Sequence, residues 1–351
     1  MTGQDLSADL LEQVHQALAD QCPLYLQGTG SKAWLGRPVA GQPLNVTGHH
    51  GIVHYDHSEL VVTVRAGTSV RALTTLLAEH GQMLPFEPPL FGGDASVGGM
   101  VATGLAGPRR PWVGSVRDFI LGTRIITGEG KHLRFGGEVM KNVAGYDLSR
   151  LMAGSFGALG LITEVSFKVL PRPRRRASLQ LSMDQATALE SLIRWRHAGL
   201  PLSAASHQDG QLRLRLEGND SSVRQAAQQI GGEALDDHHW PQLRDHQLPF
   251  FADTRPLWRL SLPADTPVID LPGDTLIDWA GAQRWLKSEA GAEDIRALAT
   301  HHGGSAICYN PGPGVEPFHP LPASLHRYHR ALKAKLDPHS IFNPGRLYPD
   351  L

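Results

Sequence analysis

Three segments crowded with glycine and other small residues limit what this chain can fold into. They are Gln27-Gly28-Thr29-Gly30-Ser31-Lys32, Ala95-Ser96-Val97-Gly98-Gly99-Met100-Val101-Ala102-Thr103-Gly104, and Gly154-Ser155-Phe156-Gly157-Ala158-Leu159-Gly160. Glycine at such density allows positive φ and close approach of backbone to backbone or to a ligand. Amides exposed in this way gather around an anion, and Thr29, Ser31 and Lys32 add two hydroxyls and a positive charge. The first segment is neither G-x-x-x-x-G-K-[ST] nor G-x-G-x-x-G, so it is not a known nucleotide loop. Any one segment alone reads as an ordinary tight turn. Three at strand ends within one region favour a large phosphorylated cofactor.

The chain has 351 residues, which favours two domains, and it is 41% hydrophobic, enough for a sizeable core. A formal net charge of -1 without a basic run argues against nucleic acid as a partner. The polar start, Met1 to Ala8, does not read as a signal peptide, and no window reads as a membrane span. A cytoplasmic protein is expected, peripheral on a membrane only through partners. Two cysteines, Cys22 and Cys308, cannot hold an iron–sulfur cluster or a thiolate zinc site. If the chain is a redox protein, its redox centre is therefore organic, and its electrons leave through something else.

Hydrophobic periodicity predicts a helix over Ala8 to Ala19 capped by Ser7, and a strand at Leu24 to Leu26. It also predicts a strand over Leu60 to Val64, followed by a helix capped near Ser69. Pro85 to Pro111 reads as a long functional loop, and a hairpin follows around Gly128-Glu129-Gly130. Pro171-Arg172-Pro173 marks a boundary. Beyond it, alternating strands and helices suggest a ferredoxin-like β-α-β-β-α-β cap, and a last helix over Leu321 to Leu336 stops at Asp337-Pro338. No internal repeat is visible in the sequence. The expected class is α+β, with domains over 1–174 and 175–320 and a C-terminal helix and tail over 321–351 returning to the first domain.

In this order the segments resemble the vanillyl-alcohol-oxidase / p-cresol-methylhydroxylase (PCMH) type of FAD-binding domain. The matching residues are Gln27 to Ser31, Pro85, Ser96-Val97-Gly98-Gly99, Ala102-Thr103-Gly104, Gly114-Ser115-Val116-Arg117-Asp118 and Gly154 to Thr163. Asp337-Pro338 and Asn343-Pro344-Gly345-Arg346 resemble the C-terminal signature of the D-2-hydroxyacid dehydrogenase branch. Gly104 to Trp112 and Val139 to Arg150 narrow the likeness to the flavoprotein subunits of bacterial glycolate oxidases. The resemblance implies an FAD whose pyrophosphate lies on Gln27 to Lys32. Ser96 to Gly99 and Ala102 to Gly104 would follow the flavin and ribityl chain, and Gly157, Gly160 and Ile162 would flank the cofactor. Pro85, Gly114, Ser115, Asp118, Asn343 and Arg346 complete the implied cofactor set. The implied reaction is oxidation of glycolate to glyoxylate, with D-lactate as a second candidate substrate. The 2-hydroxyl proton would go to a base and the C2 hydride to the flavin. The implied partners are a larger FAD-containing catalytic subunit and an iron–sulfur subunit of glycolate oxidase.

Three departures from the family pattern matter. Phe156 stands where many relatives carry Glu. No Cys or His sits at the flavin segments for covalent attachment, so a dissociable FAD is expected. The cap lacks a His-Gly-x-Gly-Asp-Gly-Asn-x-His motif around His301-His302-Gly303-Gly304 to Phe318-His319, which argues against substrate oxidation on this chain itself. The alternatives are an autonomous FAD-dependent 2-hydroxyacid dehydrogenase and a flavin-free scaffold. Arg109 and Arg110 are weak candidates for holding a carboxylate, an anionic flavin or a partner, against structural pairing as the commoner use of such residues. His49-His50, His54 and His57 read as turn or surface residues, and His326 and His329 as one partly exposed helix face; no metal site is expected.

Overall fold

The computed structural model describes residues 3–137 and 147–351. Most of the Val139 to Arg150 stretch, residues 139–146, therefore lies outside the described residues. The chain divides into two compact units, the first drawn from Met1–Leu105, Gly114–Pro171 and Pro320–Leu351, the second from Ala106–Val113 and Arg172–His319. Ala106–Val113, read in sequence as part of the first domain, belongs to the second.

The first unit is built on a five-stranded antiparallel sheet. Its order is Ile52–Asp56, Val61–Arg65, Leu161–Lys168, Ile120–Ile126, His132–Gly136. Leu161–Lys168 is central and buried along nearly its whole length, as expected of a strand covered on both faces. A separate parallel pair, Leu24–Gln27 with Gln42–Asn45, carries the first glycine segment at its end. The helix Ser7–Ala19 buries Leu10, Val14 and Ala17 beside this pair and Phe342. Burial of Leu10 and of Val14 contributes about 1.5–3 kcal/mol each. Ser7 does not cap that helix. Its cap residue is Leu6, whose amide donates to Nδ1 of His49, while Nε2 of His49 meets the Thr163 carbonyl. His49 is fully buried and not a surface residue as expected. Burial pushes its imidazole below the ordinary range and keeps it neutral.

The second glycine segment is not a loop. Val97–Thr103 is a helix, started by the Ser96 side chain accepting from the Gly99 amide and stopped by Gly104 in the left-handed region. Ser69 caps the helix Val70–Glu79 in the same way.

The second unit holds an eight-stranded sheet that contains the ferredoxin-like arrangement twice. The first copy runs strand Arg175–Ser182, helix Gln185–His197, strands Leu202–Gln208 and Gln211–Gly218, helix Asp220–Ile230 and strand Glu233–Ala234. The second runs strands Leu257–Ser261, Asp274–Asp278 and Gln283–Lys287, helix Ala292–His301 and strand Ser305–Cys308. In each copy the sheet order is fourth, first, third, second strand, and the two second strands meet at the middle through His207 and Ile277. The second copy lacks its first helix. Ile269 and Leu271, from the connection that replaces it, fill the core beside Ile295 and Ala299. The single ferredoxin-like motif expected from sequence is thus present as two copies.

Candidate functional site

In the first unit, an open cleft lies over the ends of Leu24–Gln27 and Val97–Thr103 and the turn before Leu161–Lys168. It is lined by Gln27, Gly28, Thr29, Gly30, Ser31, Lys32, Ser96, Gly98, Gly99, Ala102, Thr103, Gly157, Gly160, Ile162, Asn343 and Arg346, all expected from sequence. Tyr25, Leu26, Ala33, Val46, Ala95, Phe156 and Leu161 also line it and were not expected. Val46 follows the strand Gln42–Asn45, whose Pro43 conceals its strand character.

The amides of Gly28, Thr29, Gly30 and Ser31 make no hydrogen bond to any described residue. Gly30 has φ +77°, and a Cβ built there meets nothing within 4 Å, so this loop stands open to the cleft. At Gly28 a Cβ would meet Ser96 Oγ at 2.2 Å, which shows how closely the two glycine segments pack. The Lys32 ammonium reaches Ser31 Oγ at 3.3 Å and lies 5.7 Å from the centre of the Phe91 ring. Consecutive unbonded amides, a hydroxyl and a cation form a donor set suited to a pyrophosphate. Thr29 adds no hydroxyl donor, since its Oγ1 already donates to the Asp94 carbonyl. The start of the helix Val97–Thr103 has no free donors to offer. Its first amides donate to the Thr68 and Ala66 carbonyls, and the Gly99 amide donates to Ser96.

The floor of the cleft is the turn Gly154 to Gly160. Phe156 adopts φ 52°, unusual for a side chain of its size. Its amide donates to the Ala102 carbonyl, and its carbonyl accepts from Asn343 Nδ2. Arg346 lines the cleft, but its guanidinium donates to the carbonyls of Ala33, Leu35 and Arg37. It shapes the loop after Lys32 and offers little charge to a ligand.

Six expected residues lie away from the cleft. Val97 is buried in the core, and Gly104 packs against Gly154. Ser115 and Asp118 form the capping box of a short helix, with Gly114 folded against Asp118. Pro85 is not among the lining residues. Arg109 and Arg110 belong to the second unit. Arg109 is buried in an ion pair with Glu217, which Arg176 and Arg215 also approach. The Arg110 guanidinium lies 4.4 Å from the centre of the Trp279 ring. The Arg109 charge is thus paired within the fold, whereas Arg110 stays exposed with its guanidinium stacked on Trp279. His326 pairs with Asp350 at 3.0 Å.

A family model described as FAD binding domain matches residues 7–136. Over 347 residues the chain is 56% identical to the glycolate oxidase subunit GlcE of Escherichia coli (strain K12), covering 99% of each. It is 30% identical over 159 residues to the glycolate oxidase subunit GlcD of Bacillus subtilis (strain 168), covering 45% of this chain and 34% of that protein. An alkyldihydroxyacetonephosphate synthase structure matches it with a TM-score of 0.69 at 16% identity, over 97% of this chain and 76% of that one. At that identity the likeness is one of fold.

Proposed function

The chain belongs to the family of the glycolate oxidase subunit GlcE, and from that premise we propose that it is the FAD-holding subunit of a complex oxidising glycolate to glyoxylate. The observation that carries the reading is the row of unbonded amides from Gly28 to Ser31, open to the cleft that the three glycine segments line together. Those amides, Ser31 and Lys32 take the pyrophosphate. Ala102, Thr103, Phe156 and Ile162 provide the small and apolar walls for the rest of the cofactor. Bound there, FAD supplies a two-electron acceptor that can pass electrons on singly. Attachment is non-covalent, because no described lining residue is Cys or His.

The described lining residues also include no carboxylate and no imidazole to take the 2-hydroxyl proton of a substrate. This supports an electron-transfer or assembly role over autonomous 2-hydroxyacid oxidation. The substrate site then lies on a larger flavoprotein subunit, and an iron–sulfur subunit carries electrons onward to the respiratory chain. Among the described residues no helix is long and apolar enough to cross a membrane. A cytoplasmic location, with membrane contact only through partners, is part of the proposal.

The test is the absorbance spectrum of the purified chain before and after glycolate. A yellow protein that releases its flavin on denaturation and is not bleached by glycolate supports the reading. Bleaching by glycolate would transfer the substrate chemistry to this chain. A colourless protein that FAD cannot reconstitute sinks both.

A further inference from the structure

We infer that Lys333 is a positioning residue for the cleft, an inference that rests on reading that cleft as the FAD site. Lys333 lies on the last helix, Ala323–Leu336, and is its one buried residue. Its ammonium donates to the Ala158 carbonyl at 2.8 Å, the Phe342 carbonyl at 2.8 Å and Asp337 Oδ2 at 2.7 Å. An ammonium has three protons, so all are used. Asp337 is fully buried, and its two oxygens accept from the Ile341 and Phe342 amides. A buried ion pair contributes little net stability over an apolar pair of the same shape. What this pair supplies is direction: one side chain fixes the helix, the C-terminal tail and the turn beneath the cofactor.

That turn requires fixing. Phe156 sits in the left-handed region, and such a conformation persists only where its surroundings over-determine it. The Ala102 carbonyl holds its amide and Asn343 holds its carbonyl. Asn343 is itself placed by the tail that Lys333 and Asp337 anchor at Phe342. A Cβ on Gly157 would stand 2.6 Å from Asn343 Nδ2, so there is no slack between turn and tail. Lys333 closes the circuit at Ala158. Phe156, Gly157 and Gly160 line the cleft, so the ammonium sets the position of its floor without touching the ligand.

The test uses the full chain. Lys333→Met alone strands a buried carboxylate, so the informative variant is Lys333→Met with Asp337→Asn, beside Lys333→Arg, which keeps the cation but not three converging bonds. We expect weaker FAD binding in both, on the order of tenfold or more in the double variant, the scale for loss of a charge-assisted buried hydrogen bond. In flavin-free protein, amides 156–160 should exchange hydrogen faster than in wild type, with exchange in the second unit unchanged. Wild-type affinity and wild-type exchange in both variants would overturn the inference. Faster exchange in a chain whose wild type takes no FAD would uphold the clamp and sink the FAD reading.

Discussion

Asn343 donates from its side-chain amide to the Phe156 carbonyl at 2.7 Å, and its side-chain oxygen accepts from the Leu26 amide at 2.8 Å. One residue near the end of the chain thus joins the first strand of the cleft to its floor. Its φ of 42° suits asparagine better than any β-branched or bulky residue. Asn343→Ala removes both bonds and should lower stability by about 1–3 kcal/mol. FAD retention should fall with it. Asn343→Gly relieves the backbone but not the lost bonds, so it should not restore retention. Thermal melts and FAD titration of the two variants check this.

Gly30 and Gly98 should fail differently. Gly30→Ala meets no neighbour but must adopt a positive φ, at a cost of roughly 1 kcal/mol. The protein should fold and bind FAD several-fold more weakly. The implied course of the flavin along Ser96 to Gly99 would set a side chain at Gly98 against the ring. The structure places Ala66 there, with the Ala66 Cβ 2.9 Å from a Cβ built on Gly98. Gly98→Val should therefore destabilise the first unit even without cofactor, as circular dichroism and a melt of flavin-free protein would show.

Arg109 offers a negative test. Its partner Glu217 keeps Arg176 and Arg215 nearby, so Arg109→Ala should cost about 1–3 kcal/mol and not more. The flavin spectrum and FAD affinity should not move. A variant of full stability with altered flavin properties would return Arg109 to the site.

Acid should weaken the fold through its buried and half-buried histidines. Burial pushes His246 down to about 3 and His239 down to about 4, and it lowers His49 as well. An unfolded imidazole titrates near 6.5, so below that pH protons bind the unfolded chain more readily. Their contribution is complete above about pH 6.5 and is lost progressively as pH falls toward the folded values. For His246 the loss at pH 5 is about 2 kcal/mol. Tm should drop between pH 7 and pH 5. His246→Phe should flatten that slope, since the imidazole already stacks on Phe251 at 4.2 Å.

The cleft was largely legible in the sequence because glycine and its neighbours are local signals. A missing side chain marks where backbone approaches backbone, as Gly28 does with Ser96. The helix Val97–Thr103 was misread because two adjacent glycines weaken helical propensity, although Ser96 and Gly104 mark its start and stop. Long-range partnerships were not legible. Lys287 and Arg284 look like surface residues, yet both are buried in the strand Gln283–Lys287. Arg284 is accommodated by the Thr266 and Pro267 carbonyls, and Lys287 by those of Asp253 and Arg255. Glu217 likewise gives no sign in sequence that it will capture Arg109. The duplication in the second unit stayed hidden because the two copies share topology and not residues.

That duplication has a structural consequence. Within each copy, adjacent strands of the central ladders are paired over several residues, up to eight between Arg175–Ser182 and Gln211–Gly218. At the midline a single register pair, His207 with Ile277, joins one copy to the other. Each copy has an apolar core under its helices, and Ala280 of the second copy packs against the core of the first. The two ladders therefore share one backbone rung at the midline, and it is side-chain packing, such as Ala280 on the first copy's core, that spans the rest of the seam.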